Sequence, residues 1–442
     1  MKRIFFLVVF AVFSFGLSAE EKDTAAIFEE WEETLNYGID SEVLNVIAKL
    51  QERREERFNA ELVAVFGRSL NIDVRKKILE FFTEVKYAGA TDAAFAVLSN
   101  YEDEDAEVLR AIVLYFIALE FKKAVPVFTE LIEADNILLA GSSIRAVGKL
   151  GGPEQGKLLL EKLNDPELDE NRKPDIILAL GELKTAEATD ALLAILEDED
   201  ESRIWRMNAC AALGEIGDTR AVPVMKKIFS EKDPLLKASA AAALGNFQSE
   251  EVVTLLIESL KDAHWKVRVS ACQGLAHPHA AKALEILKYK ALKDPEARVR
   301  MEALKALSGI GNTDALVFLR DFFEDKKTPE ALREVVFTIL VEDHLGGQTI
   351  NIVERVIRAE KDEKDKRMVE VIAKKLSITD SSDLRGIYDL FLESSYFVLR
   401  ISAIRGIVRN KYTDMRGKLE KIAENDPADV VKTEAKQALE KL

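Results

Sequence analysis

Four histidines and two cysteines are the residues of this 442-residue chain whose types could support metal or nucleophilic chemistry. His277-Pro278-His279 comes nearest to a metal pair. His264 stands about 18 Å from it if residues 265–276 are helical, and His344 is remote in the chain. No His-x-x-x-His spacing and no cysteine joins these histidines, so zinc is not expected. No histidine is placed to activate Cys210 or Cys272, which removes the usual route to a reactive thiolate. A glycine-rich phosphate loop and a Gly-x-Ser-x-Gly elbow are also missing from the sequence. Acidic runs such as Glu197-Asp198-Glu199-Asp200 read as solvated helix ends. The residues therefore predict a chain that performs no chemistry, with no catalytic residue, no metal and no cofactor.

Charge and composition set further bounds. Lys and Arg number 62 against 78 Asp and Glu, a formal net charge of −16, the wrong field for a protein that grips nucleic acid through its phosphates. Two cysteines are too few for a disulfide scaffold. Hydrophobic residues at 48% are ample for a core, while 21 Gly, 10 Pro and 7% aromatics weigh against an all-β fold. At the start, Lys2 and Arg3 precede the apolar or small-residue run Ile4–Leu17, then Ser18, Ala19 and the acidic Glu20-Glu21. That run spans only about 21 Å as a helix, short of the roughly 30 Å bilayer core. The pattern predicts a signal peptide over residues 1–19, cut after Ala19 or one residue earlier, with a retained signal-anchor as the alternative. The mature chain would carry a net charge of −18, hold no integral membrane segment, and lie in the periplasm or outside the cell.

From residue 40 the sequence repeats every 31 to 36 residues. A basic residue is followed seven positions later by an aliphatic or aromatic one: Arg75/Phe82, Arg110/Ile117, Lys173/Leu180, Arg206/Leu213, Lys237/Leu244, Arg268/Leu275, Arg300/Leu307, Arg333/Leu340, Arg400/Ile407 and Lys432/Leu439. Ala140/Val147 and Val369/Leu376 fill the gaps without the charge. Each unit reads as two amphipathic helices, an Ala-rich one beginning near the basic residue and a second such as Val253, Leu256, Ile257 and Leu260. Gly214 to Gly217, Gly245-Asn246 and Gly309 to Gly311 mark turns where glycine supplies a left-handed helix end, and Asp294-Pro295 and Asp165-Pro166 mark the other junction. Neither helix buries its apolar face alone, so the units must stack. The fold class predicted is all-α, a right-handed α-solenoid of about twelve two-helix repeats.

The strings Lys266 to Leu275 and Arg298 to Leu307 resemble the second helix of HEAT repeats, and in particular the short bacterial HEAT-like units of phycobilisome lyases. The resemblance covers roughly residues 40–442 and implies Ala-rich helices along a concave surface. It speaks for the fold and little for function. Some helical-repeat hydroxylases bind two irons through repeated His-Glu dipeptides, and this sequence contains none. Ahead of the repeats, Ile27, Phe28, Trp31 and Leu35 predict a capping helix within residues 20–39. The first unit holds Gln51 to Arg57, too charged for a buried stripe, and polar stretches within 341–366 predict a longer loop in preference to a hinge.

The basic column could be an anion stripe, but acids stand just ahead of it: Asp73, Asp233, Asp262, Asp294 and Asp429. This predicts exposed ion pairs and backbone contacts tying each turn to its own helix, each contributing about 0.2–1 kcal/mol. Cys210 and Cys272 lie two units apart, roughly 20 Å, and are predicted to be free core residues. Two and five positions after the column lie Asn208 and Ala211, Ser239 and Ala242, Ser270 and Gln273, small and uncharged in a chain with 32% charged residues. With Trp205 and Trp265 in the flanking turns, they could form a protein-binding groove. The other reading has both tryptophans sealing gaps between units. The predicted function is an exported monomeric scaffold that binds a protein partner through Trp205, Asn208, Ser239, Trp265, Ser270 and Gln273. The alternative is an accessory subunit of a lyase-type enzyme that cups a prosthetic group.

Overall fold

The computed structural model describes residues 19–360 and 366–442, with side chains from Ala26 onward. The leader assigned to residues 1–19 falls, all but its last residue, outside them, as does the polar run 361–365. Every regular element among the described residues is a helix. The chain forms two compact units, one ending at Leu192 and one starting at Leu193.

Within each unit the helices that carry the column residues stack in chain order, and the alternate helices form a second layer against them. A column helix is buried on two sides, which its sequence records as a fixed pattern. In the Arg268 helix the buried residues are Val267, Arg268, Ala271, Cys272 and Gly274, followed by the buried Leu275 at its end. The Lys237 helix repeats the pattern with Leu236, Ala240, Ala241, Ala243 and Leu244. In the first unit the same positions carry bulkier groups: Val108, Leu109, Ile112, Val113, Tyr115 and Phe116. This pattern corrects the register by one residue there. Leu109 and Phe116, not Arg110 and Ile117, occupy the column positions, and Arg110 is half-exposed and paired with Glu107 at 2.8 Å.

Local chemistry starts and stops these helices. Asn71, Asp105, Asn136 and Asp233 each accept a backbone N–H of the first turn of a column helix. The turn glycines divide into two kinds. Gly217 and Gly311 end their helices with φ of +78° and +62°, as expected. Gly214, Gly245 and Gly309 do not adopt positive φ, and the reason for glycine there is close approach. A Cβ on Gly245 would sit 2.6 Å from Gly274 Cα, and one on Gly309 would collide with the Ala276 backbone.

The basic column differs from expectation in both partner and burial. Arg268 donates from Nε and a terminal nitrogen to Asp294 at 2.9 and 2.8 Å, and from its other terminal nitrogen to the carbonyls of Asp262 and Ala263. Arg400 grips Asp426 at 2.7 and 2.8 Å, Arg206 grips Glu231 at 3.0 and 2.8 Å, and Arg333 reaches Glu360 at 2.6 Å. Lys237 lies 3.6 Å from Asp262. The acid lies 25 to 27 residues downstream in these five pairs, in or beside the turn before the next column helix, so they tie neighbouring repeats together. The acid just ahead of the column is met as a carboxylate by Lys432, 3.5 Å from Asp429, and through its backbone carbonyl by Arg268 at Asp262 and Arg300 at Asp294, at 3.0 and 2.7 Å. Side chains in the Arg268–Asp294 pair are 9% and 0% exposed. Such buried pairs do not belong with the exposed pairs the sequence suggested.

At the amino-terminal end, the Ala19–Tyr37 helix buries Trp31 and Leu35. Arg57 lies over the Phe28 ring at 3.9 Å and Arg53 over Trp31 at 5.1 Å. The charged Gln51–Arg57 segment thus covers aromatic faces with its guanidinium groups. The expected loop from Val341 is short. Val341 to Asp343 still belong to the Arg333 helix, and a new helix runs Gly347–Glu360.

Candidate functional site

Burial of positions 0, +3, +4 and +7 relative to the column residue of the Arg268 helix leaves positions −2, +1, +2 and +5 toward solvent. The six small residues two and five positions after the column at the Arg206, Lys237 and Arg268 helices all reach solvent in part or in full. Ala211, Ala242 and Gln273 are exposed; Asn208, Ser239 and Ser270 are half-buried. Ile204, at −2, is 58% exposed and extends this uncharged strip. The hydroxyl of Ser239 is not aimed at a partner: it donates to Met207 O of the neighbouring helix at 2.9 Å.

The tryptophans are not in turns. Trp205 is the third residue of the Arg203–Ile216 helix and Trp265 the first of the Trp265–Gly274 helix. Both are half-buried. The Trp265 ring has Arg298 of the next column helix at 4.9 Å, Lys266 at 5.7 Å and His264 stacked at 6.1 Å. Trp265 therefore bridges two repeats while keeping part of its surface in water.

Two cavities open on the outward faces of column helices, one in each unit, beyond the residues singled out from the sequence. In the first unit a cavity of about 420 Å³ lies between the Arg75 and Leu109 helices, lined by Lys76, Glu80, Glu84 and Arg110 with the 55% exposed Leu114. In the second unit a cavity of about 520 Å³ lies over the Arg333 helix. Val335 and Thr338, at +2 and +5, line it with Ile339, and Lys305 and Val371 stand at the same offsets on the flanking helices. Extending the offset rule from Arg206 through Val369 would have found these residues; confining it to the three uncharged helices missed them.

No group of three or more His, Cys, Asp or Glu among the described residues is placed to hold a metal ion. The His277 and His279 rings lie 5.9 Å apart, tilted at 45°. Burial, then the neighbouring His279, holds the His277 imidazole below its usual pKa. Cys210 and Cys272 are fully buried, and burial pushes both thiols up to about 12. They cannot supply thiolate near neutral pH.

One trio was not legible in the sequence. Ser308 Oγ lies 2.8 Å from His344 Nε2 and donates to Asp343 Oδ2 at 3.1 Å. A nucleophilic relay needs the acid on the far nitrogen of the histidine. Here acid and histidine both engage one hydroxyl. Ser308 is also 5% exposed, within the carbonyl end of its helix, where no backbone N–H is free to stabilise an oxyanion. The trio fastens the end of one column helix to the next.

Stacked two-helix repeats joined by a ladder of buried arginine–carboxylate pairs define a HEAT-type α-solenoid. The chain belongs to the spirochaete HEAT repeat protein family, whose model matches residues 35–438. Among curated proteins it is similar to deoxyhypusine hydroxylase of Candida albicans, 28% identical over 265 residues, 58% of this chain and 79% of the hydroxylase. It is also 32% identical over 185 residues to phycocyanobilin lyase subunit alpha of Nostoc, 38% of this chain and 60% of that subunit. Solved structures similar to it include the complex of CpcE and CpcF of phycocyanin lyase from Nostoc, at 18% identity and TM-score 0.37, covering 53% of this chain and 94% of that one. The karyopherin Kap121p is another, at 12% identity and TM-score 0.40, covering 96% and 54%. Both curated relatives carry enzyme names, which overturns the expectation of a chain set apart from chemistry.

Proposed function

We propose that this chain is an exported HEAT-repeat protein that binds a protein partner along the outward face of its column helices. Export is inferred from Lys2, Arg3, the Ile4–Leu17 run and Ala19. Among the described residues no helix is long and apolar enough to cross a membrane. The observation that carries the partner-binding reading is the uncharged strip through Ile204, Ala211, Ala242 and Gln273, on the layer that also bears the 520 Å³ cavity. A chain with 32% charged residues that leaves such a strip bare offers a surface cheap to dehydrate.

The test is cross-linking mass spectrometry in native envelope extracts with the chain from Glu20, beside an Ala211→Glu/Ala242→Glu variant of equal helicity. Both alanines are exposed, so the variant changes the strip and leaves the core intact. Cross-links on the strip that vanish in the variant support the reading. Cross-links confined to other surfaces, or unchanged in the variant, overturn it. A second reading, an accessory subunit of a lyase-type enzyme that cups a prosthetic group, is favoured by the 32% identity to phycocyanobilin lyase subunit alpha. Visible absorbance co-purifying with the chain would support it.

A further inference from the structure

The cavity over the Arg333 helix has an apolar floor and an acidic rim. Val335, Ile339 and Val371 supply the floor, Glu334, Glu342 and Asp343 the carboxylates, and Lys305 the one ammonium in the lining. Lys305 is already engaged by Glu302 at 2.8 Å. Glu342 meets Lys375, and Glu334 lies 3.3 Å from Arg367, both cations from outside the lining. Asp343 accepts the Ser308 hydroxyl and is in no ion pair among the described residues. At about 520 Å³ the cavity falls within the roughly 300–1,000 Å³ of ligand sites. It is large enough for two or three side chains.

We infer that this cavity docks a basic, amphipathic segment of the protein partner, one in which Lys or Arg alternates with apolar residues. The inference rests on the partner-binding reading above and names the chemistry of the segment. A lysine or arginine stem lies along Val335, Ile339 and Val371 while its cation reaches the rim, as long basic side chains do over apolar surface. Apolar neighbours in the segment fill the rest of the floor. Lys375 and Arg367 answer Glu342 and Glu334, which leaves Asp343, among the described residues, as the lining carboxylate without a cation in a chain of net charge −16, so the local and global fields both draw one. An acidic or neutral segment would leave Asp343 facing like charge or dry carbon.

The probe is a fluorescein-labelled eight-residue peptide alternating Lys and Leu, titrated by anisotropy against the chain from Glu20. Comparison peptides alternate Lys with Ser and Glu with Leu. Two variants are measured: Glu342→Gln/Asp343→Asn at the rim, and Glu199→Gln/Asp200→Asn, which removes the same charge from exposed positions elsewhere. The expected result is at least tenfold weaker binding in the rim variant and less than twofold in the control. The Lys-Ser peptide should bind at least fivefold more weakly, and the Glu-Leu peptide not measurably. Equal losses in both variants would reduce the effect to general attraction, and no loss at the rim would remove the site; either overturns the inference. Strip cross-links that persist while this test fails leave the partner-binding reading standing without its basic segment.

Discussion

Replacing Arg268 with methionine tests the claim that buried inter-repeat pairs, and not exposed ones, hold the stack. Methionine keeps the apolar stem and removes only the guanidinium. Lost with it are two charge-assisted hydrogen bonds to Asp294 and two bonds to the Asp262 and Ala263 carbonyls. Asp294 stays fully buried with Lys290 at 3.1 Å and the Glu296 N–H at 3.1 Å as remaining partners. Breaking a buried pair by removing one member typically costs about 3–5 kcal/mol. The two remaining partners place this case near the low end, about 3 kcal/mol. Lys261→Met removes an exposed pair with Glu258, 59% and 63% exposed, and should cost at most about 0.5 kcal/mol. Urea unfolding followed by circular dichroism gives the two costs, and amide hydrogen exchange locates them. Repeat proteins couple mainly to nearest neighbours, so protection should fall first in the Trp265–Gly274 and Ala297–Ile310 helices. Equal costs for the two variants, or a uniform rise in exchange along the chain, would refute the reasoning.

Asp294 and Asp426 titrate below the ordinary aspartate value. Burial works to raise each, and hydrogen bonds outweigh it, from Arg268, the Glu296 N–H and Lys290 at Asp294 and from Arg400 and the Ala428 N–H at Asp426. A carboxylate depressed in the folded state contributes stability above its unfolded pKa of about 3.9, and that contribution is lost as pH falls through the folded value. Asp294→Asn should therefore cost most at pH 7 and progressively less below pH 4, seen as converging urea midpoints; a difference constant from pH 7 to pH 3 would contradict the assignment. Two glycines should respond in opposite directions to alanine. Gly245→Ala forces a Cβ against Gly274 and should cost about 1–3 kcal/mol, whereas Gly386→Ala, in a helix with open space around it, should gain about 0.4–1 kcal/mol. Thermal unfolding of the two variants reads both signs.

The sequence by itself determined the stacked helices. A column residue recurring every 31 to 36 positions records a helix buried on two sides, and that pattern cannot be satisfied by an isolated helix or a strand. It placed both cysteines in the core, because that follows from helical geometry alone. Only the tertiary structure decided which acid each arginine meets. The nearest carboxylate in sequence is not the nearest in space once the next repeat brings its turn over the column, as Arg268 and Asp294 show. It likewise set the register of the Ala106–Ala118 helix at Leu109, one residue ahead of the charge that marks the column elsewhere. Gly245 and Gly309 read in sequence as turn formers, and the fold uses them for the approach of neighbouring helices. The cavity over the Arg333 helix was beyond reach for the same reason. Its floor and rim come from three helices, and the spacing between them is a property of packing that no single repeat encodes.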